Sequence, residues 1–194
     1  MAVTSLCAEI QRGQDLACTS LDKRYYQQAI IINKNDIATY NITIDSKTGK
    51  YHVKFSLKEG KKGYLYRAME SGSSFSGSFD KSTTDQGMVQ YLHKTNMIIQ
   101  TADAEGKLAQ HELDRGSFVV AMQFKTGGIE IYGMDYGLSS ADYTNDLQAN
   151  NGVNAIVLQS LETAQENSLP LIYESETPGG ETADFDSLFE NKAA

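Results

Sequence analysis

The chain predicts an α+β fold that is mainly β: an antiparallel β-sandwich or barrel with a long protruding hairpin and one short flanking helix. Three observations carry this expectation. Short runs rich in Ile, Val, Tyr and Phe alternate apolar with polar residues, the two-residue period of a strand with one wet face. Clusters such as Asn33-Lys34-Asn35-Asp36 and Asp45-Ser46-Lys47-Thr48-Gly49-Lys50 separate those runs with turn chemistry. One stretch, Thr101 to Asp114, places Leu108, Ala109 and Leu113 in an apolar stripe beside charges, with Gly116 as terminator. Strands, one helix, then more strands is the order of an α+β domain.

Taken in order, residues 1–24 read as a polar N-terminal arm, residues 25–173 as the β domain, and residues 174–194 as an acidic tail without a fixed fold of its own. Within that tail Phe185, Leu188 and Phe189 are suited to docking on a neighbour. The run from Tyr25 opens the strands; Tyr40, Ile42 and Ile44 alternate in a second, and Val53, Phe55 and Leu57 in a third. Gly63 to Gln100 then reads as two long arms joined at Thr84-Asp85-Gln86-Gly87. On the second arm Val89, Tyr91, Thr95, Met97 and Ile99 share one parity, although Met88, Leu92 and Ile99 also fit a helical spacing. On the first arm Tyr64 and Tyr66 are even while Phe75, Gly77 and Phe79 are odd, so a bulge or loop near Ser71-Gly72 is expected. Phe118 to Phe124 and Ile129 to Met134 form a hairpin across Lys125-Thr126-Gly127-Gly128. Residues 135–152 read as a polar loop, and Ala155 to Leu161 and Leu169 to Tyr173 as the last strands.

The 194 residues fit one domain with a core of its own. Eleven Tyr exceed seven Phe, and Trp is absent, a mixture suited to half-wet strands. The formal charge of −8 removes the basic footprint that stable nucleic-acid binding needs. The same acidity suits a surface that DNA passes without sticking. Cys7 and Cys18, in the arm, read as reduced thiols rather than a disulfide. No apolar run approaches the ~18 residues of a membrane span, and the start lacks a signal peptide's charged and apolar regions. Synthesis in the cytoplasm is therefore expected, and Asn41-Ile42-Thr43 is a chance match to a glycosylation sequon.

Motifs for chemistry are sparse. His52, His93 and His111 lie on separate elements at no metal-ligand spacing, and read as surface or sheet-face residues. Gly72 to Gly77 is glycine-rich but lacks the Lys-Ser/Thr ending of a phosphate loop. Asp142, Asn145, Asp146 and Asn150 do not follow calcium-loop spacing. No catalytic residue, cofactor or metal site is expected, and the chain reads as a non-enzyme. Strands beyond the usual ~5–6 residues gain little for a small domain unless they reach another object. The object expected here is a second copy of the chain, with Tyr64, Tyr66, Phe75, Phe79, Met88, Tyr91 and Met97 as subunit-interface candidates.

With this element order in place, the chain resembles the major tail tube proteins of long-tailed bacteriophages over roughly Arg12 to Tyr173. The resemblance lies in the arm Arg12-Gly13-Gln14-Asp15-Leu16-Ala17-Cys18 leading into Tyr25-Tyr26, and in the hairpin around Ser74-Phe75 and Met88 to Gln100. It continues through the short helix Glu105 to Asp114, the Ser117 to Tyr132 hairpin, and Met134-Asp135-Tyr136-Gly137 before a closing strand. It implies hexameric rings stacked into a tube that conducts DNA during ejection, within a virion tail made in the host cytoplasm. Partners would be further copies and other phage tail proteins, with no membrane. Two other readings stay open: a tube or baseplate protein of a contractile injection or secretion system, and a monomeric β-barrel module binding a small ligand or glycan.

Overall fold

The computed structural model describes residues 26–67, 75–100, 102–143 and 153–190. The N-terminal arm with its two cysteines, the expected break near Ser71-Gly72, and residues 144–152 of the 135–152 loop lie outside them. The described chain is mainly β, with two antiparallel-rich sheets and two short helices.

Three strands open the described part of the chain: β1 (Tyr26–Asn33), β2 (Ile37–Asp45) and β3 (Lys50–Leu57). The long first arm is two strands rather than one. β4 (Tyr64–Arg67) pairs with β1, whereas β5 (Phe75–Thr83) pairs with β6 (Val89–Gln100) in the other sheet. The parity conflict between Tyr64/Tyr66 and Phe75/Phe79 therefore marks a change of sheet. β7 (Phe118–Phe124) and β8 (Ile129–Tyr132) make the expected hairpin, followed by β9 (Ser139–Ser140), β10 (Val153–Gln159) and β11 (Leu171–Tyr173).

The larger sheet runs β2-β3-β11-β8-β7-β1-β4, and the smaller β5-β6-β10-β9. Within the larger one, β11 and β3 run parallel; the other pairs are antiparallel. Chain connectivity dictates its curvature. β1 and β2 stand five strand spacings apart in that order, roughly 24 Å if the sheet were flat. Only the three-residue 3-10 turn Lys34–Asp36 joins them. The sheet therefore rolls over, and Lys58 N–H donates to Asp36 C=O (2.9 Å) to hold the far corner against the turn.

Two apolar layers result. Ile30, Ile32, Val53, Phe55, Val119 and Ile131 fill the inside of the roll, while Ile31, Val120 and Met122 on the opposite face meet Phe75, Met97, Ile99, Ile156 and Leu158 of the smaller sheet. Such burial supplies about 25 cal/mol per Å² of apolar area.

The helix expected over Thr101 to Asp114 is α1 (Ala104–Leu113), begun by Asp103, whose carboxylate accepts from Gly106 N–H at 2.7 Å. Leu113 and Gln110 are its buried residues, whereas Leu108 faces solvent, so the contacting stripe is narrower than the sequence suggests.

The reading of residues 174–194 as a tail without its own place is corrected for the described part, 174–190. α2 (Glu181–Asp186) carries Phe185, which with Phe189 plugs the roll. Phe189 packs on Phe55, Tyr173 and Phe185, with ring centroids 4.9–6.1 Å apart. The buried Asp184 accepts from the hydroxyls of Tyr173 (2.9 Å) and Ser175. Six acids made the segment read as solvated; its aromatic residues decide its fate. Leu188 and Phe189 both adopt φ 54°, a left-handed conformation costly for bulky side chains. They are held there by bonds from Leu188 N–H to Phe185 C=O and from Phe189 N–H to Asp184 C=O.

Candidate assembly edges

Among the described residues, three long or exposed strands end the sheets: β2 and β4 in the larger, β5 in the smaller. Which of their backbone groups remain open follows from the alternation of an antiparallel ladder. Thr84 N–H donates to Met88 C=O (2.8 Å) at the hairpin turn, so Ser82, Asp80, Ser78 and Ser76 bond to β6. Gly77, Phe79, Lys81 and Thr83 then point their N–H and C=O outward. The opposite side of β6 agrees: Ser160 N–H donates to His93 C=O (2.9 Å), which turns the odd residues of β6 toward β10.

The same reasoning fixes the other edges. Glu174 N–H donates to Val53 C=O (2.9 Å), so the even residues of β3 bond to β2 and leave Tyr40, Ile42 and Ile44 facing outward. Lys34 N–H donates to Ser117 C=O (2.9 Å), so the odd residues of β1 bond to Tyr64 and Tyr66, leaving Gly63, Leu65 and Arg67. Gly63 N–H is taken by Leu188 C=O (3.0 Å), which caps the start of β4 with the C-terminal segment.

Exposed apolar side chains concentrate on these strands. Among the described residues nine large ones are exposed, and six belong here: Tyr40 and Ile44 on β2, Tyr64 and Leu65 on β4, Phe79 on β5 and Met88 at its turn. An open strand edge with apolar side chains is a template for another chain, and natural proteins usually blunt it with charge, proline or a cover.

The seven interface candidates divide. Tyr64, Phe79 and Met88 are exposed; Tyr91 is half-buried, its ring edge-on to Phe79 at 6.2 Å. Tyr66 is half-buried against the inter-sheet layer. Phe75 and Met97 are corrected to core: they pair across β5 and β6 where the larger sheet backs them, and present no surface. Sequence reasoning missed Tyr40, Ile44 and Leu65. Their alternation is visible, but an edge differs from a central strand only once the sheet order is known.

A polar clamp holds the outer half of β6, level with Phe79 and Lys81. His93, on the inward face of β6, is 1% exposed. Its Nε2–H donates to Ser168 C=O (2.9 Å) and its Nδ1 accepts from Gly133 N–H (3.2 Å), so both ring nitrogens are occupied in the neutral form. Burial pushes its pKa down to about 4, against the opposing effect of the Ser168 bond. Glu166 exchanges both backbone bonds with Tyr91 (2.8 and 2.9 Å), and its buried carboxylate accepts from the N–H groups of Asp135 (2.6 Å) and Tyr136 (3.0 Å). Burial raises it to about 7, although those two bonds and nearby Lys34 pull the other way. Lys34 Nζ donates to Met134 C=O and lies 4.8 Å over the Tyr40 ring; burial lowers its pKa. Nothing in the run LETAQENS singles out Glu166 in sequence.

Other features offer less chemistry. No group of three or more His, Cys, Asp and Glu side chains converges as a metal site among the described residues. An open cleft of about 480 Å³ lies between His52, Thr126, Ile172, Glu174 and Thr182. No helix among the described residues is long and apolar enough to cross a membrane. No protein-family description, curated protein or solved structure matches the chain.

Proposed function

We propose that the protein is a structural subunit of a phage tail tube, forming stacked hexameric rings whose channel conducts DNA during ejection. The observation that carries this reading is the concentration of exposed apolar side chains on open strand edges, Tyr40 and Ile44 on β2, Leu65 on β4, and Phe79 beside Met88 on the hairpin. Three unlike edges on one subunit suit head-to-tail contacts, which close into rings or stack without end. The charge of −8 suits a channel wall that repels phosphate and releases DNA readily. Function then comes from geometry and electrostatics, with no turnover.

Negative-stain electron microscopy of the concentrated protein, beside light scattering, tests this reading. Rings or tubes with a central channel are expected. A strictly monomeric particle at every concentration, with and without phage tail-tip components, overturns it. Reversal of several channel-facing acids to Lys is expected to slow ejection while tubes persist; unchanged ejection removes the electrostatic part of the reading.

A further inference from the structure

We propose that the open edge of β5 on one subunit pairs antiparallel with the open edge of β2 on the next, with Phe79 opposite Ile42. This rests on the assembly reading above and names the contact that reading needs.

The register follows from the backbone. Outward groups must face outward groups, so odd residues of β5 meet even residues of β2. With Phe79 opposite Ile42, Gly77 meets Ile44 and Lys81 meets Tyr40 on one face. On the other face Ser78 meets Thr43, Asp80 meets Asn41 and Ser82 meets Thr39. Phe79 meets Ile42, the Lys81 stem lies along the Tyr40 ring, short polar side chains meet one another on the other face, and no like charges stand opposite. A slip of two residues one way sets the Lys81 ammonium against Ile42. The opposite slip engages Phe75, which is buried where β5 joins the core.

Charge favours the same alignment. Asp135 and Glu166 lie near enough to Tyr40 to act on its hydroxyl, with Lys34 as the resident cation over its ring. Lys81 arrives beside Tyr40 and those two carboxylates. β2 carries no Lys or Arg of its own to ward off a partner strand. The pairing joins the four-stranded sheet of one subunit to the seven-stranded sheet of the next. Because β5 and β2 are different surfaces, each subunit gives one and accepts one, and the contact propagates.

Site-directed cross-linking tests the register. In a background carrying Cys7→Ser and Cys18→Ser, a Phe79→Cys protein is mixed with an Ile42→Cys protein and oxidised mildly. Opposed residues of a hydrogen-bonded pair have Cα atoms about 5.5 Å apart, within disulfide reach. A disulfide-linked dimer is expected from the mixture and from neither protein alone. Phe79→Cys mixed with Asn41→Cys, on the wrong face, is expected to give none. Lys81→Cys with Tyr40→Cys repeats the test at two exposed positions, should replacement of the half-buried Ile42 disturb folding. Rings or tubes visible by electron microscopy without either cross-link overturn the pairing and leave the assembly reading standing. Efficient linkage of the Phe79→Cys protein to itself overturns it in favour of a two-fold contact. Monomers without cross-links at every concentration, with and without tail-tip components, overturn both.

Discussion

Along the β5–β6 hairpin, Phe75 and Phe79 lie on the same strand face four residues apart, yet the first is 3% exposed and the second 47%. On β6 both facing residues are buried, Met97 opposite Phe75 and His93 opposite Phe79, and the cover thins only at Tyr91, opposite Lys81 and half-buried. On β5 the inner half is backed by the larger sheet and the outer half is exposed, whereas β6 stays covered as far as His93, whose ring meets Tyr132 of β8 at 5.7 Å. One pair of strands thus holds the domain together at its base and offers a free edge at its tip. Folding and assembly are divided by position along a single hairpin, so mutations at the two ends separate the two properties.

The largest expected effect lies in the buried region. Phe185→Ala empties the plug of the roll and is expected to cost about 3–5 kcal/mol, read as a lower urea midpoint; a change under about 0.5 kcal/mol, the size of an ordinary surface substitution, removes the plug role. Assembly is expected to fail with it, because the fold fails.

The clamp on the outer half of β6 predicts an unusual pH profile. His93 has a folded pKa of about 4, below its ordinary 6.5, so its stabilisation is present above pH 6.5 and is lost as pH falls through 4. Glu166 is raised from 4.5 to about 7, so its stabilisation is present below pH 4.5 and is lost as pH rises through 7. Between pH 4.5 and 6.5 the two slopes oppose each other. Glu166→Gln leaves the His93 slope alone, and stability is expected to climb with pH across that window by about 2–3 kcal/mol relative to the parent, at 1.36 kcal/mol per unit. Urea midpoints at several pH values check this; parallel profiles for parent and variant count against it.

A smaller effect sits at the boundary between the halves. A Cβ on Gly77 would stand 2.2 Å from the Tyr132 hydroxyl. Tyr132 in turn bonds the Tyr26 hydroxyl (2.9 Å) and Glu130 (3.0 Å), so it has little room to yield. Gly77→Ala is expected to cost about 1–3 kcal/mol; calorimetric melting without change disproves the close contact. At the tip the effect on stability is the smallest. Phe79→Asp should stay within about 0.5 kcal/mol of the parent, as surface changes do, yet abolish rings or tubes by electron microscopy. Intact tubes from that variant, or from a deletion of Thr83 to Gly87, remove the hairpin from the assembly.

Period and turn chemistry made most strands legible. Tyr40-Ile42-Ile44 and Val53-Phe55-Leu57 alternate because one face is wet, and Lys125-Thr126-Gly127-Gly128 supplies the residues its turn requires. Sheet membership was less legible, since the pattern of β4 and β5 is local while their partners, β1 and β6, are set by the whole topology. Leu138 was hidden within a polar loop, although it is fully buried and bonds both ways to Phe118. Composition misled at the C-terminus, where acids outnumber the aromatic residues that do the packing. The candidate edges were half legible: Phe79, Met88 and Tyr64 carry the signal of excess hairpin length and aromatic content. Tyr40, Ile44 and Leu65 require knowledge that β2 and β4 close the sheet.

The position of β11 has a consequence for timing. It is inserted between β3 and β8, pairing Ile172 with His52 on one side and Glu130 on the other. Until residues 171–173 leave the ribosome, the slot between β3 and β8 is empty and the β2–β3 ribbon has no sheet to join. Contacts so distant along the chain form late. A chain that still lacks residues 171–173 therefore cannot hold β2 in its final place, and the edge through which subunits are proposed to recognise one another becomes competent only after β11 has been made.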